Sequence, residues 1–114
     1  MRVLVCGGRD YTDRARVWKL LDFNRAKITM IIHGAARGAD SLAAEWAQSH
    51  NIWDWPFPAD WQKHGRKAGF LRNQQMLDEA SPDLVVAFPG GVGTRMMIAL
   101  ARKAGVRVIE VPES

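Results

Sequence analysis

Five short apolar runs, each closed by glycine or proline and separated by a helical pattern, constrain this chain more than any other feature. The runs are "RVLVC" (2–6), "ITMIIH" (28–33), "IWDWPF" (52–57), "LVVAF" (84–88) and "RVIEV" (107–111). Unbroken apolar stretches of this length fit strands buried on both faces. Between them, apolar residues recur at three and four. Val17, Leu20 and Leu21 mark a helix over about 13–25, with Thr12 or Asp13 as its cap. Ala39, Leu42, Ala43, Trp46 and Ala47 mark a second, and Phe70, Met76, Leu77 and Ala80 a third over about 69–80. Thr94, Met97, Ile98 and Ala101 mark a fourth, stopped by Gly105. Strict alternation of strand and helix predicts an α/β fold: a parallel sheet with helices on both faces. Right-handed crossovers leave few topologies. The expected one is a Rossmann-like, three-layer domain spanning 1–114, with strand order 3-2-1-4-5. Its order reverses between the first and fourth strands, where ligands of such sheets bind.

Composition bounds the setting. The 114 residues fit one domain, with ordinary hydrophobic (47%) and charged (25%) fractions. The lone cysteine, Cys6, allows no disulfide within the chain. No apolar run reaches membrane-spanning length, and no leader-like segment opens the sequence. The expectation is a cytoplasmic protein without a membrane partner. A net charge of +4 favours an anionic partner without naming it.

The unusual residues collect on one edge of the predicted sheet. Helix-to-strand turns are short and plain. The strand-to-helix loops read "GGRDYTD" (7–13), "GAARGAD" (34–40), "PADWQKHGRKAGFLRN" (58–73) and "PGGVGT" (89–94). Gly90, Gly91 and Gly93 leave room for a ligand at the backbone, and Thr94 can cap the helix or donate to a phosphate. Gly7 and Gly8 do the same in the first loop, and Gly34 and Gly38 in the second. Of the arginines on this edge, Arg9, Arg37 and Arg72 are the best placed for phosphate, because glycines or strand ends hold their backbones close. Arg66 and Arg95 read equally well as solvent-facing. A phosphate is expected between the starts of the helices that follow "PGGVG" and "GGRDY". The loops are neither a Walker motif nor a dinucleotide fingerprint.

In these four segments, "GGRDYTD", "HGAARGADSLAAEWA", "FPADWQKHGRKAGFLRN" and "FPGGVGT", the chain resembles the YspA-like, cpYpsA-related branch (YAcAr) of the SLOG superfamily, from about Val3 to Val111. That superfamily joins Smf/DprA DNA-processing proteins with the LOG cytokinin-activating enzymes. The resemblance implies a Rossmann-like fold and a site for nucleotides or their derivatives. Its members include phosphoribohydrolases, single-strand DNA binders and sensors of nucleotide signals, and LOG-like relatives imply a homodimer. LOG-type hydrolases carry an arginine resembling Arg72 and a glutamate three residues beyond the threonine of Pro-Gly-Gly-x-Gly-Thr. Here that place is Met97, preceded by Met96. A methionine neither activates water nor steadies positive charge on a ribose.

The remaining candidates have plainer alternatives. Asp40 starts a helix on the functional edge; it serves there as a cap, a ribose partner or a substitute carboxylate. Asp10 shares that ambiguity. His33, His50 and His64 lack metal spacing, so no metal and no cofactor is expected. His33 reads as a satisfied core histidine and Cys6 as a buried thiol. Trp18 and Trp46 read as core. Trp53 and Trp55 share one face of the third strand, and Trp61 either stacks on a base or closes its loop. The expected function is binding of a nucleotide or nucleotide-derived ligand, as a sensor or binding module. Phosphate would lie on Gly90, Gly91, Gly93, Thr94, Gly7, Gly8 and Arg9. Arg37, Asp40, Arg72 and Asn73 would orient the ribose or a second phosphate. The alternatives are a LOG-like phosphoribohydrolase using Arg72 with Asp40, and a single-strand nucleic-acid binder.

Overall fold

The computed structural model describes residues 1–113. Five strands, β1 (Arg2–Cys6), β2 (Met30–His33), β3 (Trp53–Pro56), β4 (Leu84–Ala87) and β5 (Arg107–Glu110), form one sheet in the order β3-β2-β1-β4-β5. Every pairing is parallel. The helices are α1 (Arg14–Phe23), α2 (Ala39–Ser49), α3 (Trp61–His64), α4 (Ala68–Ala80) and α5 (Val92–Lys103). The expected Rossmann-like α/β architecture and strand order are those observed.

Alternation along the strands builds two cores. Val3, Val5, Ile31 and Val86 face one layer, where Val17 and Leu21 of α1 meet Ala43, Trp46 and Ala47 of α2. Leu4, Cys6, Ile32 and Val85 face the other, against Met76, Leu77 and Ala80 of α4 and Met97 and Ala101 of α5. Central strands β1 and β4 are therefore apolar at successive positions, whereas edge strands β3 and β5 are only half-buried. Trp46 is fully enclosed, and its indole N–H donates to Asp22 Oδ1 at 2.8 Å, tying α2 to α1. Trp18 is half-buried under the Arg14 guanidinium. Trp55 packs on Phe57, while Trp53 is exposed.

The helix ends follow local chemistry. Asp13 caps α1 by accepting from the Arg16 N–H at 3.1 Å. Gly105, at φ +78°, ends α5 as the sequence predicts. The third helical pattern is longer than expected. Asp60 accepts from the Lys63 N–H at 3.0 Å and starts the one-turn α3. Gly65, at φ +58°, then breaks it before a further turn leads into α4. No helix among the described residues is long and apolar enough to cross a membrane.

Candidate functional site

At the carboxyl edge, the reversal of strand order leaves the β1 and β4 loops side by side, joined by the Gly8 N–H donating to the Pro89 carbonyl at 2.9 Å. Beside them lies a cleft of about 520 Å³. One wall comes from Gly7, Gly8 and Arg9 after β1. Gly34, Ala36 and Asp40 after β2 form the floor, together with Arg72 and Asn73 of α4. Gly91, Val92, Gly93, Thr94 and Met96 at the start of α5 form the other wall.

The glycines of this edge divide by what a side chain would strike. A Cβ on Gly38 would overlap the Gly8 carbonyl oxygen, and Gly38 also holds φ +78°. A Cβ on Gly7 would come 2.6 Å from that of Ala39; on Gly8, 3.0 Å from the Pro89 oxygen; on Gly90, 2.7 Å from the Gly8 nitrogen. On Gly34 it would overlap the Arg72 guanidinium. Gly91 and Gly93 differ: a Cβ on either meets nothing within 4 Å. Both line the cleft, and neither has positive φ.

The start of α5 is open. Gly91, its cap residue, offers no side chain, and the first intrahelical bond runs from the Arg95 N–H to the Gly91 carbonyl. The N–H groups of Val92, Gly93 and Thr94 precede it and have no acceptor among the described residues. The Thr94 side chain lies behind Gly90 and lines the cleft instead of capping the helix. The start of α1, expected beside it, does not line the cleft. Asp13 satisfies that helix end, and Tyr11 folds the intervening loop onto Phe88 at 5.3 Å between ring centroids. The start of α2 is likewise engaged, with the Ala39 N–H donating to the Gly8 carbonyl at 3.3 Å.

The floor carries the buried charge. Asp40 is 5% exposed, and its Oδ2 accepts from the N–H groups of Gly34 at 2.9 Å and Ala36 at 3.4 Å. It thus ties down its own loop, while Gly38 holds the cap position of α2. Burial raises the Asp40 pKa above its ordinary value, opposed by His33, Arg72 and the two N–H donors. Arg72 donates from Nε to Asn73 Oδ1 at 2.9 Å, and from Nη1 to the carbonyls of Gly34 at 2.5 Å and Phe57 at 3.4 Å. Burial lowers its pKa, and Asp40 opposes that. Asn73 Nδ2 donates to the Gly93 carbonyl at 3.2 Å, coupling the floor to the α5 wall. Cys6 lies beneath, its pKa pushed up to about 12 by burial and by Asp40, which keeps it a thiol. His33 is satisfied: its Nδ1 accepts from the Ala35 N–H at 3.0 Å and its Nε2 donates to Asp54.

At the rim, Trp61 and Phe70 are 48% and 44% exposed, and the Arg9 guanidinium lies 5.5 Å from the centre of the Trp61 ring. Arg66 also lines the cleft. Arg37 does not; its exposed side chain meets Asp10 at 3.5 Å, outside the cleft. Gly38 and Gly90 sit behind the lining and make room for neighbouring backbone and for Thr94. Gly69 and Met76 join the expected Arg72 and Asn73, and the 69, 72, 73, 76 spacing of one helical face is the signal that finds them. Met97 is 1% exposed and belongs to the core, whereas Met96 lines the cleft. Among the described residues, no group of three His, Cys, Asp or Glu side chains could hold a metal ion.

The model of the YspA, cpYpsA-related SLOG family (YAcAr) matches residues 1–64. The Gene 61 protein of Mycobacterium phage D29 is 42% identical over 118 residues, covering 95% of this chain and 94% of that protein. The chain belongs to this SLOG family. Among solved structures, the C-terminal domain of a hydrogenase from Pyrococcus furiosus superimposes with a TM-score of 0.56 at 17% identity, over 96% of this chain and 90% of that one. Acinetobacter baumannii MurG gives a TM-score of 0.56 at 14% identity, over 96% of this chain but only 34% of its own. At these identities the likeness is one of fold.

Proposed function

We propose that this member of the YspA, cpYpsA-related SLOG family binds a nucleotide or nucleotide-derived ligand through a phosphate seated on the start of α5. The carrying observation is the pair Gly91 and Gly93. Both line the cleft, yet no atom of the protein requires either to lack a side chain. Space kept clear of the protein's own atoms, beside three backbone N–H groups without acceptors, suits an incoming anion. The helix dipole adds partial positive charge there. Arg9 and Arg66 make no ion pair among the described residues and line the same cleft. Trp61 and Phe70 offer exposed ring faces at its rim, on which a base can stack.

Binding without turnover is the form this reading takes. Met97, at the place where LOG-type enzymes carry glutamate, is packed in the core, and Met96 on the cleft wall can neither take nor give a proton. The test is titration calorimetry with AMP and ADP-ribose, together with crystals soaked in each. Ligand density at the start of α5 is expected. Ligand found reproducibly at the opposite, helix-to-strand edge overturns the reading.

The buried carboxylate of Asp40 on the cleft floor favours a second reading, a phosphoribohydrolase in which Asp40 replaces the missing glutamate. Release of free adenine from AMP by the wild type, lost in Asp40→Asn, would establish it.

A further inference from the structure

The floor of the cleft holds two charged groups that do not satisfy each other. Asp40 commits Oδ2 to the N–H groups of Gly34 and Ala36. Its Oδ1 accepts no hydrogen bond among the described residues, although the side chain is buried and lines the cleft. Arg72 commits Nε to Asn73 and Nη1 to two carbonyls, and its Nη2 has no partner among the described residues. No ion pair joins Arg72 to Asp40. Arg72 is also fixed in place: a Cβ on Gly34 would overlap its Nη1 and lie 2.7 Å from its Cζ, so that glycine exists to admit the guanidinium. The result is one free acceptor on a buried side chain and one free donor on a half-buried one, both side chains held in place by their other bonds. A ligand that covers them without offering a partner leaves them unpaired, which is costly.

We propose that Asp40 and Arg72 together read a sugar hydroxyl of the ligand, making the site selective for ribonucleotides over deoxyribonucleotides. This rests on the nucleotide reading above. A hydroxyl donates one hydrogen bond and accepts others, so it fits both free groups at once. A second phosphate fits poorly, because it would meet the Asp40 carboxylate. A ligand ammonium would satisfy Asp40 but repel Arg72. The charge neighbourhood separates the two ends of the cleft. Arg9 and Arg66 at the rim are free for anions, whereas the Arg72 charge at the floor is offset by Asp40. The start of α5 and the floor share one cleft of about 520 Å³, and Asn73 bonds across from one to the other. A ligand with phosphate on α5 thus has its sugar within the same enclosure. Discrimination should follow, because a ligand that covers the Asp40 carboxylate without offering a hydroxyl leaves its free oxygen without a partner.

The test is titration calorimetry of the wild type with AMP, GMP, CMP and UMP, and with the 2′-deoxy and 3′-deoxy forms of whichever binds most tightly. At least one deoxy form should bind about ten- to a hundredfold more weakly, the range for one hydrogen bond to a charged group. Asp40→Asn should narrow that ratio, and Asp40→Ala should bring it close to one. Equal affinity of the wild type for the ribo and both deoxy forms overturns the hydroxyl reading and leaves the phosphate site standing. A ratio unchanged in folded Asp40→Ala overturns it too. Failure of all four ribonucleotides to bind removes both readings together. Should Asp40→Ala not fold, the wild-type ratio and its narrowing in Asp40→Asn decide the matter.

Discussion

Replacing Gly91 by valine separates folding from binding more cleanly than any other change to this site. Gly91 sits at the cap position of α5 with φ −100°, not in the left-handed region that favours glycine. A Cβ there meets no atom within 4 Å, so the first side-chain carbon of valine enters open space. Two small effects act on stability. Valine is a poorer cap residue than glycine, and it restricts the unfolded chain, which recovers about 0.4–1 kcal/mol. The net change should stay within about 1 kcal/mol, read as a urea midpoint close to that of wild type. Binding should respond very differently. The isopropyl group would occupy the wall of the cleft beside the N–H groups of Val92, Gly93 and Thr94. A hydrogen bond to a charged group contributes about 1.5–3 kcal/mol, so excluding a phosphate from even one donor weakens binding about tenfold, and from two more than a hundredfold. The assay is calorimetric titration with AMP alongside urea denaturation of both proteins. A folded Gly91→Val with wild-type affinity would refute the phosphate seat, because no other change to α5 is being made.

Other substitutions test the packing beneath and beside the cleft. Gly38→Ala forces φ +78° on alanine and drives its Cβ into the Gly8 carbonyl, so it should cost about 2 kcal/mol or more, read by urea denaturation. Met97→Glu buries a carboxyl in the core and should cost about 3 kcal/mol or more, whereas Met96→Glu, on the cleft wall, should cost about 1 kcal/mol or less; equal melting temperatures for the two would contradict their placement. Burial raises the folded-state pKa of Asp40, so the unfolded chain binds fewer protons there. Its contribution to stability is therefore greatest below the ordinary carboxylate range, about pH 4, and is lost as pH rises through the raised folded value. Relative to Asp40→Asn, the wild type should thus lose stability as pH rises from about 4; a difference independent of pH, or one of opposite sign, would contradict the burial argument.

The fold was legible because its signals are local and repeated. Runs such as "VLVC" and "LVVAF" are apolar at successive positions and stop at glycine or proline within five residues, as strands covered on both faces do, and both became central strands. The third loop was harder to read. Its α3 hangs on Asp60 as a cap and Gly65 as a stop, a signal only one turn long. The lining was legible where the backbone sets it, at Gly7, Gly8, Gly34, Gly91 and Gly93, and less so where a long side chain chooses its direction. Arg37 stands between Gly34 and Gly38 in "GAARGAD", yet its guanidinium turns outward to Asp10. Arg66 likewise stands between Gly65 and Gly69, and its side chain lines the cleft. Loop position fixes the Cα of an arginine but not where several rotatable bonds carry its charge.

Glycine-rich loops of this kind thus carry two messages in one alphabet. Gly7, Gly8, Gly38 and Gly90 are there because loops of neighbouring strands pass too close for a Cβ, and Gly34 because a guanidinium must fit. Any chain that brings the β1, β2 and β4 loops together at a reversal of strand order meets the same crowding. Those glycines therefore report the architecture, and their loss would be felt first in folding. Gly91 and Gly93 answer to no such crowding. A Cβ at either meets no protein atom, so on the reading proposed above the advantage of its absence lies in what enters the cleft. The same distinction applies to charge. Arg102 is spent on Glu110 at 2.7 Å, away from the cleft, while Asp40 Oδ1 and Arg72 Nη2 have no hydrogen-bond partner among the described residues. On the proposed reading, ligand chemistry follows from the groups the fold leaves unused: open N–H donors at one end of the cleft, and the Asp40 carboxylate and Arg72 guanidinium on the lining at the other.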